Sequence, residues 1–269
     1  MSDTARRSGV GWRRARKVLA WLLFVAGLGS LGGVLLLIRF AVVTDLLYSS
    51  LVKDPERQPP QGKVLVAPAD GTVLYVKRVT DGVIPEIVKR GVPVPLVDHL
   101  KTGQRPIGDG YLVGIYMNSD SVHVNRIPIS GVIEERVVYN GPHIEMTEAE
   151  RKIILTQLIP GWTSVKKLLG LPPYDIEDRA DYILKSARET LLLKDARGAD
   201  VYVVRIADYS VGKILTWVHE GDQVMTGQRM GMITWGSQTD IFFEETPGLS
   251  IGVGVGDFVH GGETVLATY

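Results

Sequence analysis

The sequence predicts a mainly β, β-rich α+β protein: a single barrel- or sandwich-like domain with a helical insertion, preceded by an N-terminal membrane segment. Three observations carry this. Short β-branched runs, cut by Gly and Pro, fill most of residues 62–141 and 200–269. A stretch between them, about 142–190, carries helix signals instead. At the other end, 21 uncharged residues, Val18 to Ile38, follow a basic start.

Residues 1–17 form that basic flank: Arg6, Arg7, Arg13, Arg14, Arg16 and Lys17 stand there against one acid, Asp3. About 20 apolar residues span a bilayer core, so 18–43 is the expected membrane segment. A buried core helix fits poorly behind so basic a flank. A cleaved signal peptide has an apolar stretch of roughly 7–15 residues, and this run is longer, continuing past Arg39 through Ala41-Val42-Val43. The segment is either a single span or a hairpin. Gly27-Leu28-Gly29-Ser30-Leu31-Gly32-Gly33 would let it fold back, or Gly29 and Gly33 would form a helix-packing face. The basic flank favours a cytoplasmic N-terminus, and the expected location is the cell membrane, with the folded domain at its cytoplasmic face.

Residues 44–61 read as a linker, ending in Lys53-Asp54-Pro55-Glu56-Arg57-Gln58-Pro59-Pro60. The domain then occupies 62–269. Its clearest strands are Lys63–Val66, Thr72–Val76, Tyr111–Met117, Gly131–Val138, Asp200–Ile206 and Lys213–Val218, from alternation and β-branched content. In the insertion, Thr147 is placed as an N-cap with Glu150 in the capping-box position. Ile153, Ile154 and Leu158 continue an apolar face, Pro and Gly residues break the middle, and Ile176–Leu191 reads as a second helix. The insertion is either a solvated cap or a lid over a site.

One pattern repeats at an offset of 35 residues: Gly221-Asp222-Gln223-Val224 with Gly227, and Gly256-Asp257-Phe258-Val259 with Gly262. It predicts two similar turns with Gly where the backbone needs unusual dihedrals. Biotinyl and lipoyl carriers have similar turns, but no modifiable Lys accompanies either repeat.

Composition narrows the chemistry. Lys plus Arg equals Asp plus Glu at 30 each, which gives no field for nucleic acid, and no nucleic-acid partner is expected. Cysteine is absent, excluding disulfides and thiolate chemistry. His99, His143, His219 and His260 are scattered without zinc-like spacing, so no metal is expected.

Three short blocks remain: Ala67-Pro68-Ala69-Asp70-Gly71, then Val122-His123-Val124-Asn125-Arg126 with Pro128 and Gly131, then Trp235-Gly236-Ser237-Gln238-Thr239-Asp240. Each alone reads as a turn or a strand end. In this order, after Lys53-Asp54-Pro55-Glu56-Arg57, they resemble the phosphatidylserine decarboxylases in their short prokaryotic form, over roughly 53–141 and 186–268. The resemblance implies a proenzyme cut between Gly236 and Ser237 into a β chain, 1–236, and an α chain, 237–269. Ser237 Oγ would attack the Gly236 carbonyl to give an ester. Elimination and hydrolysis would then leave a pyruvoyl group at 237, the sole cofactor, with no metal. The implied reaction is decarboxylation of phosphatidylserine to phosphatidylethanolamine and CO₂, through a Schiff base on that carbonyl.

His123 is implied as general acid/base and Asp70 as its orienting carboxylate or as the base in cleavage. Arg126 and Gln238 are carried as substrate-binding candidates. The implied partners are the membrane phospholipid and the chain's own cut halves, with a homodimer compatible. Two departures stand out: Gln238 replaces the Thr or Arg usual after the serine, and 142–185 is longer than the short form's pattern. Archaetidylserine is an alternative substrate, a non-catalytic membrane-anchored β module the alternative of another class. A metallopeptidase lacks its paired histidines.

Overall fold

The computed structural model describes residues 53–85, 93–103, 106–117, 121–142, 185–207, 214–233 and 237–269, with Leu19, Trp21, Gly27, Ser30, Gly33 and Val34. Two compact units emerge, Met1–Ser49 and Ser50–Tyr269. In the first, the six described residues are helical and exposed. Among the described residues no helix is long and apolar enough to cross a membrane; the rest of the expected membrane segment lies outside them.

The second unit is mainly β. In chain order it holds β1 (Val64–Val66), β2 (Gly71–Val79), β3 (Val83–Ile84), β4 (Val94–Pro95), the short helix α1 (Leu96–Leu100), β5 (Gly110–Met117), β6 (Val124–Arg126), β7 (Gly131–Tyr139), β8 (Arg188–Asp195), β9 (Asp200–Ala207), β10 (Ile214–Thr216), β11 (Gln223–Val224), β12 (Arg229–Ile233), β13 (Ser237–Glu244), β14 (Ser250–Ile251), β15 (Phe258–Val259) and β16 (Val265–Thr268). Eight of these form one antiparallel sheet, ordered β11-β7-β8-β9-β13-β5-β2-β15. Two three-stranded sheets accompany it, β1-β16-β14 and β10-β12-β6.

That order reads the same from either edge. β15 pairs with the start of β2, Phe258 opposite Thr72, as β11 pairs with the start of β7, Gln223 opposite Val132. Gly262 N–H donates to the Ala67 carbonyl as Gly227 N–H donates to that of Ile127, and between the copies Val66 bonds Pro128 while Arg126 bonds Pro68. Two copies of one seven-strand arrangement therefore share the large sheet. The second copy, β6 to β12, is inserted between β5 and β13 of the first. The expected repeat is its visible trace: Gly221, Gly227, Gly256 and Gly262 all have φ between +79 and +93°, where an L side chain costs about 1–2 kcal/mol.

Both faces of the sheet are buried. One packs Val113, Ile115, Leu191, Val203, Ile241 and Phe243; the other packs Leu112, Tyr116, Leu192, Val204 and Phe242 against Ile84 and α1 residues Leu96 and Leu100. Because side chains alternate along a strand, neighbours on β13 serve different cores.

The six expected strands are present within a residue or so at most ends, Lys213–Val218 being shorter as β10. Two boundaries differ. Residues 188–191, expected helical, belong to β8, buried between β7 and β9. A strand covered on both faces is continuously apolar and loses its alternation, so Leu191-Leu192-Leu193 mimics a helix. Residues 143–184, most of the expected insertion, lie outside those described. Residues 53–61, expected as linker, are instead fastened to the domain. Asp54 bonds Arg126 and Arg229, Arg57 bonds Asp70 and Glu263, and Glu56 bonds Arg229. Ion pairs from both copies turn this stretch into a strap.

Candidate functional site

Ser237 opens β13, the central strand, opposite Met117 of β5 and Ala207 of β9. It is fully buried. Its Oγ lies 3.3 Å from Met117 Sδ, a weak acceptor. Two further groups converge on that sulfur at 3.5 Å, Thr239 Oγ1 and Asn125 Nδ2, and the Asn125 amide also reaches Thr239 Oγ1 at 3.4 Å. Asn125 Oδ1 is buried and has no partner among the described residues.

His123 immediately precedes β6. Its carbonyl accepts from Ile233 N–H, so the backbone leaving β12 toward Ser237 is tied to the histidine. Its Nδ1 lies 2.8 Å from the Ser121 carbonyl. A carbonyl only accepts, so Nδ1 carries the hydrogen and Nε2 presents a lone pair. That Nε2 is buried and, among the described residues, has no hydrogen-bond partner. Burial lowers the imidazole pKa, opposed by the Ser121 carbonyl and the Asp70 charge. The structure therefore holds a neutral imidazole with a bare nitrogen at the end of the core where Ser237 sits.

Asp70 ends the β1–β2 turn, 4% exposed. Its Oδ1 accepts from Gly261 N–H at 2.7 Å, its Oδ2 from Arg57 Nη2 at 2.8 Å. Among the described residues neither oxygen bonds His123, which feels the carboxylate as a charge. His260 Nδ1 lies 3.6 Å from Oδ2. Asp70, Arg57, His260 and Val122, with Lys53 and Phe258, line a cavity of about 270 Å³, the opening beside the site.

Ser237, His123 and Asp70 thus gather at one end of the domain; Gly236 lies outside the described residues. Arg126 and Gln238 do not join as expected. Arg126 is 4% exposed and donates to Asp54, the Pro55 carbonyl and the Gly227 carbonyl. It clamps the strap. Gln238 projects to the opposite face of β13 from Ser237, donating to Tyr75 Oη at 2.8 Å and Asp240 Oδ1 at 2.7 Å. There Asp240 Oδ2 also meets Tyr75 Oη at 2.6 Å and His99 Nε2 at 2.8 Å, all within the core. Nearby Arg188 has its pKa lowered to about 10 by burial, with the Asp240 charge opposing. This network ties the strand that begins at Ser237 to β2 and α1.

Sequence reasoning missed Asn125, Met117 and Thr239 around the serine, and Arg57, His260 and Glu263 around Asp70. Asn125 and Arg57 stand inside the motifs of the sequence, and His260, which has no metal-like spacing, lies within the second repeat, between Val259 and Gly262.

The arrangement is that of a mainly β protein with a buried serine, a neutral imidazole and a carboxylate grouped at a strand end. The family model for phosphatidylserine decarboxylase matches residues 46–267. A phosphatidylserine decarboxylase proenzyme of Trichlorobacter lovleyi is 32% identical over 252 residues, covering 91% of this chain and 88% of its own. One from Nitratidesulfovibrio vulgaris is 30% identical over 216 residues, covering 80% and 74%. A protein of Methanocaldococcus jannaschii named as an archaetidylserine decarboxylase proenzyme is 32% identical over 230 residues, covering 84% and 92%. The chain belongs to the phosphatidylserine decarboxylase family, a family of carboxy-lyases.

Proposed function

We propose that this chain is a proenzyme that cuts its own Gly236–Ser237 bond and then decarboxylates phosphatidylserine to phosphatidylethanolamine, at the cytoplasmic face of the cell membrane. The observation that carries the cutting step is the buried Nε2 of a neutral His123, unpartnered among the described residues, on the backbone tied to Ile233. A serine hydroxyl is a weak nucleophile and needs a base within reach. As Ser237 Oγ bonds to the Gly236 carbonyl carbon, its proton passes to Nε2. The peptide C–N bond then breaks as Nε2 passes that proton to the departing nitrogen, leaving residue 236 esterified to Oγ and a free amine on 237. Asp70 stabilises the cation His123 becomes.

Loss of the Ser237 α-proton and of the residue-236 carboxylate, then addition of water and release of ammonia, would leave a pyruvoyl group at 237. The donors there suit it: Asn125 Nδ2 and Thr239 Oγ1 reach the same Met117 sulfur as Ser237 Oγ, and a carbonyl at residue 237 accepts from such groups. Such a group supplies a carbonyl for a primary amine and a sink for the electrons CO₂ leaves behind. His123 would then hold and return the proton, and β5 and β9 would keep residue 237 in place. The 18–43 segment would hold the domain beside the lipid.

Intact mass of purified protein under denaturing conditions tests the reading. The wild type should give a 237–269 fragment beginning with pyruvoyl, absent from Ser237→Ala. The cut protein should release CO₂ from phosphatidylserine in mixed micelles, with archaetidylserine as comparison. A single uncut chain in both proteins would overturn it.

A further inference from the structure

The two copies of the strand arrangement allow a comparison within one chain. At the first, Ala67-Pro68-Ala69-Asp70-Gly71 leads into β2; at the second, Ile127-Pro128-Ile129-Ser130-Gly131 leads into β7. Each turn is tied to its repeat hairpin by one side-chain oxygen. Asp70 Oδ1 accepts from Gly261 N–H at 2.7 Å, and Ser130 Oγ accepts from Thr226 N–H at 2.9 Å. Gly261 and Thr226 occupy equivalent places, each the residue before the last Gly of its repeat.

The tie therefore needs only an oxygen, which serine supplies. Aspartate adds a second oxygen and a charge, and the nearest hairpin group to that oxygen, His260 Nδ1 at 3.6 Å, stands beyond hydrogen-bond reach. That second oxygen is where Arg57 Nη2 lands, at 2.8 Å, while Nη1 takes Glu263 Oε2 at 2.7 Å. The Arg57 side chain is 8% exposed. A guanidinium so desolvated is costly to place unless it is paired and its partner's position matters. Its two arms also straddle the cut: Asp70 lies before residue 236, Glu263 after it.

We propose that Arg57, carried on the strap, is a positioning residue of the site. Together with Gly261 N–H it fixes both oxygens of Asp70, so the carboxylate faces His123 as a fixed anion, and it acts on the serine only through that carboxylate. This rests on the self-cleavage reading above.

The test follows cutting over time by intact mass in full-length protein, for wild type, Arg57→Ala, Arg57→Gln, Glu263→Gln and Asp70→Ser, with thermal melting alongside. Arg57→Ala should cut about a hundredfold more slowly, the scale of a misplaced catalytic group. Methylguanidinium, entering through the cavity Arg57 lines, should restore a large part of the rate. Asp70→Ser, which keeps the hairpin tie, should melt near wild type yet cut at least as slowly as Arg57→Ala. Glu263→Gln, which leaves the Asp70 arm intact and keeps an acceptor for Nη1, should slow cutting far less than Arg57→Ala. Should Arg57→Ala unfold, Arg57→Gln, uncharged but of similar reach, decides by the same rate criterion. Wild-type cutting in the folded Arg57 variants would overturn the role, as would slow cutting that methylguanidinium leaves unchanged while Asp70→Ser cuts normally. An uncut wild type would instead sink the self-cleavage reading itself.

Discussion

His123 shows how one residue acquires a role from its surroundings. The Ser121 carbonyl fixes the proton on Nδ1, burial keeps the ring neutral, and no group among the described residues competes for Nε2. Replacing it with Ala removes the base while leaving the Ile233–His123 backbone bond available. A positioned base contributes about 10²–10⁴-fold, so His123→Ala should slow cutting by that order, read as the half-time of the 237–269 fragment. Cutting at the wild-type rate would remove the imidazole from the first step. At this scale the sequence was informative where a motif was contiguous: His123, Asp70 and Ser237 each stood out in a block. It failed for Gln238 because residues 235–240 read as a turn. Once Ser237–Glu244 is a strand, alternation sends 237 and 238 to opposite faces, and Gln238 is committed to Tyr75 and Asp240. Asn125 went unassigned because its partner Thr239 lies 114 residues away, on the strand that begins at Ser237.

The strap is the element the sequence disguised most. Its Pro and charged residues read as an exposed linker, yet its partners Arg126, Arg229, Asp70 and Glu263 lie up to 206 residues away. No local pattern reports such pairings. Strand β8 was disguised differently, since a doubly buried strand has no period to read. The repeat, in contrast, was legible because four glycines mark it. Gly227 links repeat and strap: its φ is +79°, and a Cβ there would sit 2.2 Å from Pro59 Cγ. Gly227→Ala should cost about 1–2 kcal/mol for the backbone alone, and the clash should lift the strap. Limited trypsin digestion after Lys53 and Arg57 would then run faster than in wild type. Unchanged digestion at those two bonds would mean that Pro59 gives way without disturbing the ion pairs.

Across the whole molecule, the inserted second copy would let a chain cut between β12 and β13, as proposed, hold together. The new end would lie at a strand ladder-bonded on both sides, to β5 and β9, with Ile241, Phe242 and Phe243 in the two cores. Two buried histidines stand on either side of that strand's chemistry, and both make stability depend on pH. Burial pushes His99 down against the Asp240 carboxylate, and pushes His123 down against the Ser121 carbonyl and Asp70. In the unfolded chain each returns to about 6.5. Above that value both are neutral in both states, and they add no slope. Below it the unfolded chain binds protons the folded one refuses, so stability falls as pH falls, by about 1.4 kcal/mol per pH unit for each histidine. The fall levels off once pH passes below the folded values. Carboxylates do not mask this window. Glu189, despite its burial, is held low by Arg205, Thr216 and Arg136, and Glu263 is held low chiefly by its hydrogen bond to Arg57, so their losses begin only below the ordinary 4.5. Urea unfolding of uncut Ser237→Ala protein between about pH 7.5 and 5 should show the midpoint dropping with an unchanged m value, the sign of lost stability rather than altered compactness. A flat or rising midpoint across that range would mean that the two imidazoles accept protons inside the fold, and His123 would then enter the cutting step as an acid rather than as a base.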